Sequence, residues 1–119
     1  MIRLAAAAAL ALAAGPADPL AGRVAGPAQR CVDLDRLGGP DILSDGRIVY
    51  RWTQRRWWVN RPVDRCPALR PLTTLVVEVY GSQLCRNDRF RAVEPGSVVP
   101  GPTCRFGDFV PYDLTPAAR

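Results

Sequence analysis

The chain has 119 residues and a net charge of +5, and all sixteen of its basic side chains are arginine because it contains neither lysine nor histidine. Without histidine, Ser-His and Cys-His nucleophile pairs are excluded. The exclusive use of arginine can be explained by a GC-rich genome alone. Arginine is, however, also suited to bidentate contacts with carboxylate or phosphate.

The first predicted element is a signal peptide over residues 1–21. Arg3 precedes the apolar run "LAAAAALALAAG", which is typical of a secretory signal and too short to span a bilayer. Small residues place the cleavage between 13 and 21. Residues 22–30, rich in Ala, Gly and Pro, are predicted to form a flexible leader. The sequence therefore predicts a periplasmic or secreted protein with a single β-rich domain over residues 31–119.

The predicted domain contains four cysteines, Cys31, Cys66, Cys85 and Cys104. No C-x-x-C pair is present, which argues against a zinc site and against a thioredoxin-type redox motif. An exported domain of this size is marginal without covalent cross-links, so we predict two disulfides and no metal ion. Of the three possible connectivities we favour Cys31 with Cys104, which would tie the two ends of the domain, and Cys66 with Cys85.

The stretch "RIVYRWTQRRWWVNRP", residues 47–62, carries five arginines and four large aromatic residues. Its first half alternates with the period of a half-buried strand. A two- or four-residue turn around residues 54–55 would set Trp52 opposite Trp57 and Tyr50 opposite Val59, whereas a three-residue turn would break this register. The predicted core face of this hairpin consists of Ile48, Tyr50, Trp52, Trp57 and Val59.

The outward face of the same hairpin is the candidate binding surface. It is predicted to carry Arg47, Arg51, Arg56 and Trp58, with Arg51 across from Trp58 as a cation–π pair. Such a row suits an anionic envelope component, whether lipid, glycan or protein. The alternative is an ordinary solvated strand face. Nucleic acid is not an expected partner outside the cytoplasm.

Further strands follow along the chain. "TTLVVEVY" (73–80) turns Leu75, Val77 and Val79 to one face, and "DRFRAVE" turns Phe90 and Ala92 inward. Gly107 in "CRFGDFVPY" suggests a bulge, and a short strand is expected before the turn at residues 45–46. The fold class predicted is mainly β, an antiparallel sandwich or partly open barrel of five to six strands with at most one short helix near residues 66–72.

Three motifs beyond the first cysteine carry a resemblance: "C-P-x-L" from residue 66, "L-C-x-x-D" from residue 84 and "C-R-F-G-D-F" from residue 104. Over about residues 31–112 the chain resembles an uncharacterised bacterial family of small exported four-cysteine proteins, a domain of unknown function. The resemblance implies export and paired cysteines. It supplies neither catalytic residues nor a ligand.

Catalytic machinery is hard to find in this sequence. Ser82 lacks the glycine context of a nucleophile elbow. Asp88 and Asp108 are the best pair for a carboxylate hydrolase, but both follow turn-like segments in which Asp commonly bonds nearby backbone. We therefore assign no catalytic residue and no cofactor, and predict a non-enzymatic binding or structural module of the bacterial cell envelope. The alternative is a minimal carboxylate-based hydrolase.

Overall fold

The structure, a computed structural model, describes residues 18–115. Within these residues ten short strands and one turn of 3-10 helix form three antiparallel sheets. In chain order the elements are β1 (Arg23–Ala25), β2 (Cys31–Asp33), the 3-10 helix (Leu34–Arg36), β3 (Gly38–Ile42), β4 (Ile48–Arg51), β5 (Arg56–Asn60), β6 (Thr74–Val77), β7 (Gln83–Cys85), β8 (Arg89–Val93), β9 (Cys104–Arg105) and β10 (Phe109–Leu114).

The predicted mainly β, disulfide-stapled sandwich is confirmed, with more strands than the five or six expected. Several strands have only two or three residues, which is too short for an alternating pattern to be visible in the sequence. The helical turn lies at Leu34–Arg36 rather than near residues 66–72. In the described part of the chain no helix has the length and apolarity to cross a membrane.

The main sheet has the order β1-β10-β5-β4-β3, and β2-β7 and β6-β8-β9 form the two smaller sheets. One face of the main sheet packs against both smaller sheets around three phenylalanines. The Phe106 ring lies 4.4 Å from that of Phe90 and 5.9 Å from that of Phe109, centroid to centroid. The main core therefore lies between the sheets, where aromatic pairs add to the free energy gained by burial.

A second, smaller core covers the opposite face of the main sheet. Leu20 is buried there against Val49 and Val59, with Trp57 and Tyr112 packed around them. The Asp18 carboxylate accepts a hydrogen bond from the Leu20 N–H at 2.9 Å and so holds the turn in place. Both faces of β4 and β5 consequently carry buried apolar side chains, whereas one face of the hairpin was predicted to be exposed to solvent.

Part of the segment predicted to be a signal peptide and flexible leader is ordered and contributes to this second core. Residues 1–17 of the predicted signal peptide lie outside the described residues, but residues 18–21 include the buried Leu20. Within residues 22–30, for which a flexible leader was predicted, Arg23–Ala25 forms β1 and pairs with β10, and Gln29 bridges to Phe109. The ordered fold therefore begins before Cys31.

The predicted register of the β4–β5 hairpin is wrong by one residue. Tyr50 pairs with Trp58 instead of Val59, and Trp57 pairs with Arg51 instead of Trp52. Because side chains alternate along a strand, a shift of one residue exchanges the faces of one strand relative to the other. Trp58 is therefore buried, at 5% exposure, and Trp57 faces the other side of the sheet; Trp52, just past the end of β4, is 37% exposed.

The turn explains the shift. The Arg56 carbonyl accepts hydrogen bonds from the N–H groups of Trp52 (3.3 Å) and Thr53 (3.1 Å). The Arg56 N–H in turn donates to the Thr53 hydroxyl at 3.0 Å. Three residues, 53–55, thus lie between the bonded positions 52 and 56, which is the turn length that breaks the predicted register. Of the predicted hairpin core, Ile48, Tyr50 and Val59 are buried and Trp57 is half-buried.

All four cysteines form disulfides, but the favoured connectivity is wrong. Cys31 bonds Cys85, and Cys66 bonds Cys104. Cys31 lies directly opposite Cys85 because β2 pairs with β7, whereas Cys104 belongs to a different sheet, opposite Phe90. β2 and β7 have only three residues each, and the spacing of the cysteines does not depend on which strands pair. The spacing could therefore not identify the disulfide partner of Cys31.

Gly107 is required for close packing next to β5. Asn60 is fully buried, and its side-chain amide donates to the Gly107 carbonyl at 2.8 Å and accepts from the Gly107 N–H at 2.9 Å. A Cβ at position 107 would clash with the carbonyl oxygen of Arg61. Gly107 lies between β9 and β10, where close approach of two backbones, rather than the predicted strand bulge, excludes a side chain.

Candidate functional site

The four residues of the predicted binding row do not share one face. Arg56 and Trp58 point to one side of β5, whereas Arg51 lies opposite Trp57 on the other side. The predicted contact of Arg51 with Trp58 is therefore replaced by one from Arg56, whose guanidinium carbon lies 5.6 Å from the Trp58 ring centroid. The role of these residues in binding stays a prediction, but they cannot act as a single row.

Two of the three predicted arginines are held by carboxylates. The Arg47 side chain is only 14% exposed, and its Nε donates to Asp45 at 2.7 Å while its terminal nitrogen lies 3.3 Å from Asp18. Arg56 forms a bidentate pair with Asp113, with both hydrogen bonds at 2.8 Å. The hydrogen bonds from Arg56 lower the pKa of Asp113 below its usual value. The side chains of Arg47 and Arg56 are therefore engaged in ion pairs within the fold.

Arg51 is the predicted arginine that remains available to a ligand. Its closest carboxylate, Asp41, is 3.4 Å away, and both side chains are more than half exposed. Solvent-exposed pairs of this kind contribute little free energy, so a ligand carboxylate or phosphate could replace Asp41 at small cost.

Arg51 borders an open groove of about 450 Å³ at the tip of the hairpin. The groove is lined by Arg23, Arg51, Trp52, Thr53, Gln54 and Trp57. It brings two guanidinium groups and two indole rings into one concavity, although these residues are spread over positions 23–57 of the chain. Concave sites that combine aromatic walls with a few polar groups are the usual form of small-ligand sites.

Arg23 lines one side of this groove and packs against the Trp57 ring. Its guanidinium carbon lies 3.8 Å from the Trp57 ring centroid. Its nitrogens donate to the carbonyls of Gln54 (3.0 Å), Arg55 (3.0 Å) and Tyr112 (3.3 Å). Partial burial lowers the pKa of Arg23, and the Asp113 charge opposes that shift. Arg23 thus ties β1 to the hairpin turn and keeps the Trp57 indole in place.

Sequence reasoning missed Arg23 and assigned Trp52 to the core. Arg23 lies in a three-residue strand inside an Ala-, Gly- and Pro-rich segment, where no periodicity can be recognised. Trp52 follows the last residue of β4, and its exposure depends on the turn length. The cluster of arginine and aromatic residues at positions 47–62 was nevertheless the sequence signal that pointed to the hairpin bordering this groove.

The carboxylates proposed for a hydrolase have structural partners. Asp88 accepts a hydrogen bond from the Cys85 N–H at 2.7 Å, and Asp108 lies 3.2 Å from a terminal nitrogen of Arg86. The turn role considered for Asp88 is thus observed directly. Over residues 18–115, no group of three or more acidic or cysteine side chains is placed to hold a metal ion.

A larger cleft of about 620 Å³ lies between the β3–β4 turn and residues 61–69. Its carboxylates, Asp45 and Asp64, are paired with Arg47 and Arg105 respectively. The residues that line it include no aromatic side chain. The hairpin groove is therefore the better candidate, because there an exposed guanidinium and an exposed indole are both available.

Searches of protein-family models, of curated proteins and of solved structures found no match to this chain.

Proposed function

We propose that the protein is a non-enzymatic binding module of the bacterial cell envelope, periplasmic or secreted, and that its hairpin groove binds an anionic saccharide. Its two disulfides indicate an oxidising compartment. The observation that carries the proposal is the groove itself, with Arg51 and Trp52 exposed beside Trp57, which Arg23 holds in place.

The chemistry of the groove favours an acidic sugar. The indole of Trp52 offers a flat apolar surface against which the C–H face of a pyranose ring can pack. Arg51 supplies a guanidinium whose planar fork matches a carboxylate or phosphate on the same ring. The net charge of +5 draws anionic polymers to the protein before the specific contact forms.

The test is titration calorimetry of the disulfide-bonded protein with oligogalacturonate, and with a neutral malto-oligosaccharide of the same length. We expect binding of the acidic sugar only. Arg51→Gln should weaken it about tenfold, since a hydrogen bond to a charged group contributes roughly 1.5 kcal/mol or more. Trp52→Ala should weaken it as well.

The matched control is Arg36→Gln, which removes the same charge from the exposed surface of the 3-10 helix. Equal loss of affinity in Arg51→Gln and Arg36→Gln would show that the sugar responds to net charge and not to the groove. Undetectable binding of oligogalacturonate by the unaltered protein would contradict the proposal directly.

A further inference from the structure

Three apolar side chains at one end of the β6-β8-β9 sheet are almost fully exposed to solvent. Leu72 is 86% exposed, Val98 94% and Val99 72%. Single exposed apolar residues are common on soluble proteins and need no explanation. These three, however, lie in two loops that the topology places side by side.

The loops leave the sheet at the same end. Thr74 pairs with Val93, so the residues before β6 and those after β8 meet there. An ion pair of 3.7 Å between Arg70 and Glu94 joins the two loops. They also pack tightly, because a Cβ on Gly101 would lie only 2.8 Å from the Cβ of Ala68.

The backbone is strained at Leu72 and is fixed by hydrogen bonds in the loop of Val98 and Val99. Leu72 has φ +70°, a left-handed conformation that is unfavourable for a leucine. In the other loop the Ser97 N–H donates to the Glu94 carbonyl (3.0 Å) and the Val99 N–H donates to the Ser97 hydroxyl (3.2 Å). Together with prolines at 95, 100 and 102, these hydrogen bonds restrict the conformations open to the loop.

Arginines occupy the outer face of the same sheet. Arg89 lies directly opposite Arg105, a cross-strand pair of like charges that destabilises a sheet. Arg91 lies on the same face two residues along, and its Nε donates to the Thr103 hydroxyl at 3.1 Å. Among the described residues, Asp64 pairs with Arg105 at 3.3 Å, whereas neither Arg89 nor Arg91 is in an ion pair.

Besides Asp64, a second acidic residue, Glu78, belongs to this face. Glu78 continues the register of β6, since its N–H donates to the Arg89 carbonyl at 2.9 Å. Counting Arg89, Arg91 and Arg105 against Asp64 and Glu78, the face keeps one net positive charge. The uncompensated charge lies next to the apolar loops, at Arg91.

We propose that this end of the sheet docks onto an anionic lipid bilayer, with the three apolar side chains entering the interface and Arg91 reaching the headgroup phosphates. Arg91 is two residues from the end of β8, or about 7 Å at the rise of a strand. That spacing matches apolar groups buried about 5–10 Å at the headgroup boundary. This surface and its ligand are distinct from those of the hairpin groove.

A bilayer matches this surface better than a soluble anionic polymer or a bound peptide does. Leu72, Val98 and Val99 lie in loops beyond the strands and are 72–94% exposed, so their neighbours in the fold bury little of their apolar surface. They gain free energy only by leaving water. A soluble anionic polymer could use the arginines but would leave the three side chains hydrated.

The test is co-sedimentation of the disulfide-bonded protein with vesicles of phosphatidylcholine alone and of phosphatidylcholine mixed with phosphatidylglycerol. We expect binding to the mixed vesicles only, weakening as salt is raised. Replacing Val98 and Val99 by serine together should lower the affinity at least about tenfold. Arg91→Gln should lower it about fivefold.

The matched controls are Val24→Ser, at an exposed position on β1, and Arg36→Gln. Both should bind vesicles like the unaltered protein, and so should Arg51→Gln, which tests the hairpin groove separately. All variants should keep the melting temperature, since the altered side chains are exposed. Unchanged binding by the double serine variant, or no binding by the unaltered protein, would overturn the proposal.

Discussion

Tyr50 lies directly opposite Trp58 across β4 and β5, and both side chains are buried between the sheets. This pair determines which side of the hairpin belongs to the main core. Trp57, one residue away, faces the second core and is only half-buried under Arg23.

The first prediction follows from this register. Trp58→Ala should lower the free energy of unfolding by roughly 3–5 kcal/mol, because it leaves a large cavity in the main core. Trp57→Ala should cost less. Equilibrium unfolding in guanidinium chloride would compare them, and a larger loss for Trp57→Ala would favour the register in which Tyr50 faces Val59.

The second prediction concerns the N-terminal segment around Leu20. Leu20→Ala should destabilise the fold by roughly 2–5 kcal/mol, as expected for a buried leucine, whereas Val24→Ala at an exposed position should have little effect. A chain that begins at residue 22 should be at least as unstable as Leu20→Ala. Under the proposed export, N-terminal sequencing of the processed protein should therefore find Asp18 retained, and a start at residue 22 with full stability would contradict the second core.

The third prediction concerns the disulfides, and protease digestion without reduction can test it. Trypsin alone leaves Cys66 and Cys85 in one peptide, because Arg70 precedes a proline. Additional cleavage after Glu78 separates them. We then expect the 79–86 peptide to be bonded to the peptide containing Cys31, and the 66–78 peptide to the one containing Cys104. Any other pairing would contradict the strand pairing of β2 with β7.

The fourth prediction concerns acid stability. The pKa of Asp113 is lower in the folded protein than its usual value because Arg56 donates to the carboxylate. The pair therefore contributes its full stability above the unfolded pKa of about 3.9, and this contribution is lost as the pH falls through the lower folded value. Both side chains are partly exposed, so the contribution is at most about 1 kcal/mol.

Asp113→Asn should therefore be less stable than the unaltered protein at pH 7, and the difference should be smaller at pH 2. Urea unfolding at both values gives the comparison. A double-mutant cycle with Arg56→Gln should show that the two changes are not additive at pH 7. A constant difference between the two proteins over this pH range would assign the effect to packing instead of charge.

Much of the β structure was accessible from local patterns. The alternation of "DRFRAV" correctly turned Phe90 and Ala92 inward and Arg89 and Arg91 outward, because β8 has one buried and one solvated face. Where both faces are covered, as on β4 and β5, alternation no longer distinguishes them. The burial of Leu20 against Val49 and Val59 is a tertiary contact that the periodicity of the hairpin cannot show.

The candidate site was predictable in location but not in membership. The density of arginine and tryptophan pointed to the hairpin that borders the groove, yet the hydrogen bonds of Thr53 and Arg56 determine the turn length and hence which tryptophan of β5 faces the main core. Arg23 is brought to the site by pairing of β1 with β10, an interaction between residues about ninety positions apart in the sequence. Neither effect is encoded in a local pattern.

The two disulfides interleave along the chain, the first cysteine bonding the third and the second bonding the fourth. A chain that is exported N-terminus first presents Cys31 and Cys66 to an oxidant before either native partner has crossed. Thiolates attack whichever disulfide is accessible, so early oxidation joins the wrong pair and must later be reversed. Under the proposed export, we expect the yield of disulfide-bonded protein to depend on a disulfide isomerase and to fall in cells that oxidise thiols but cannot reshuffle them.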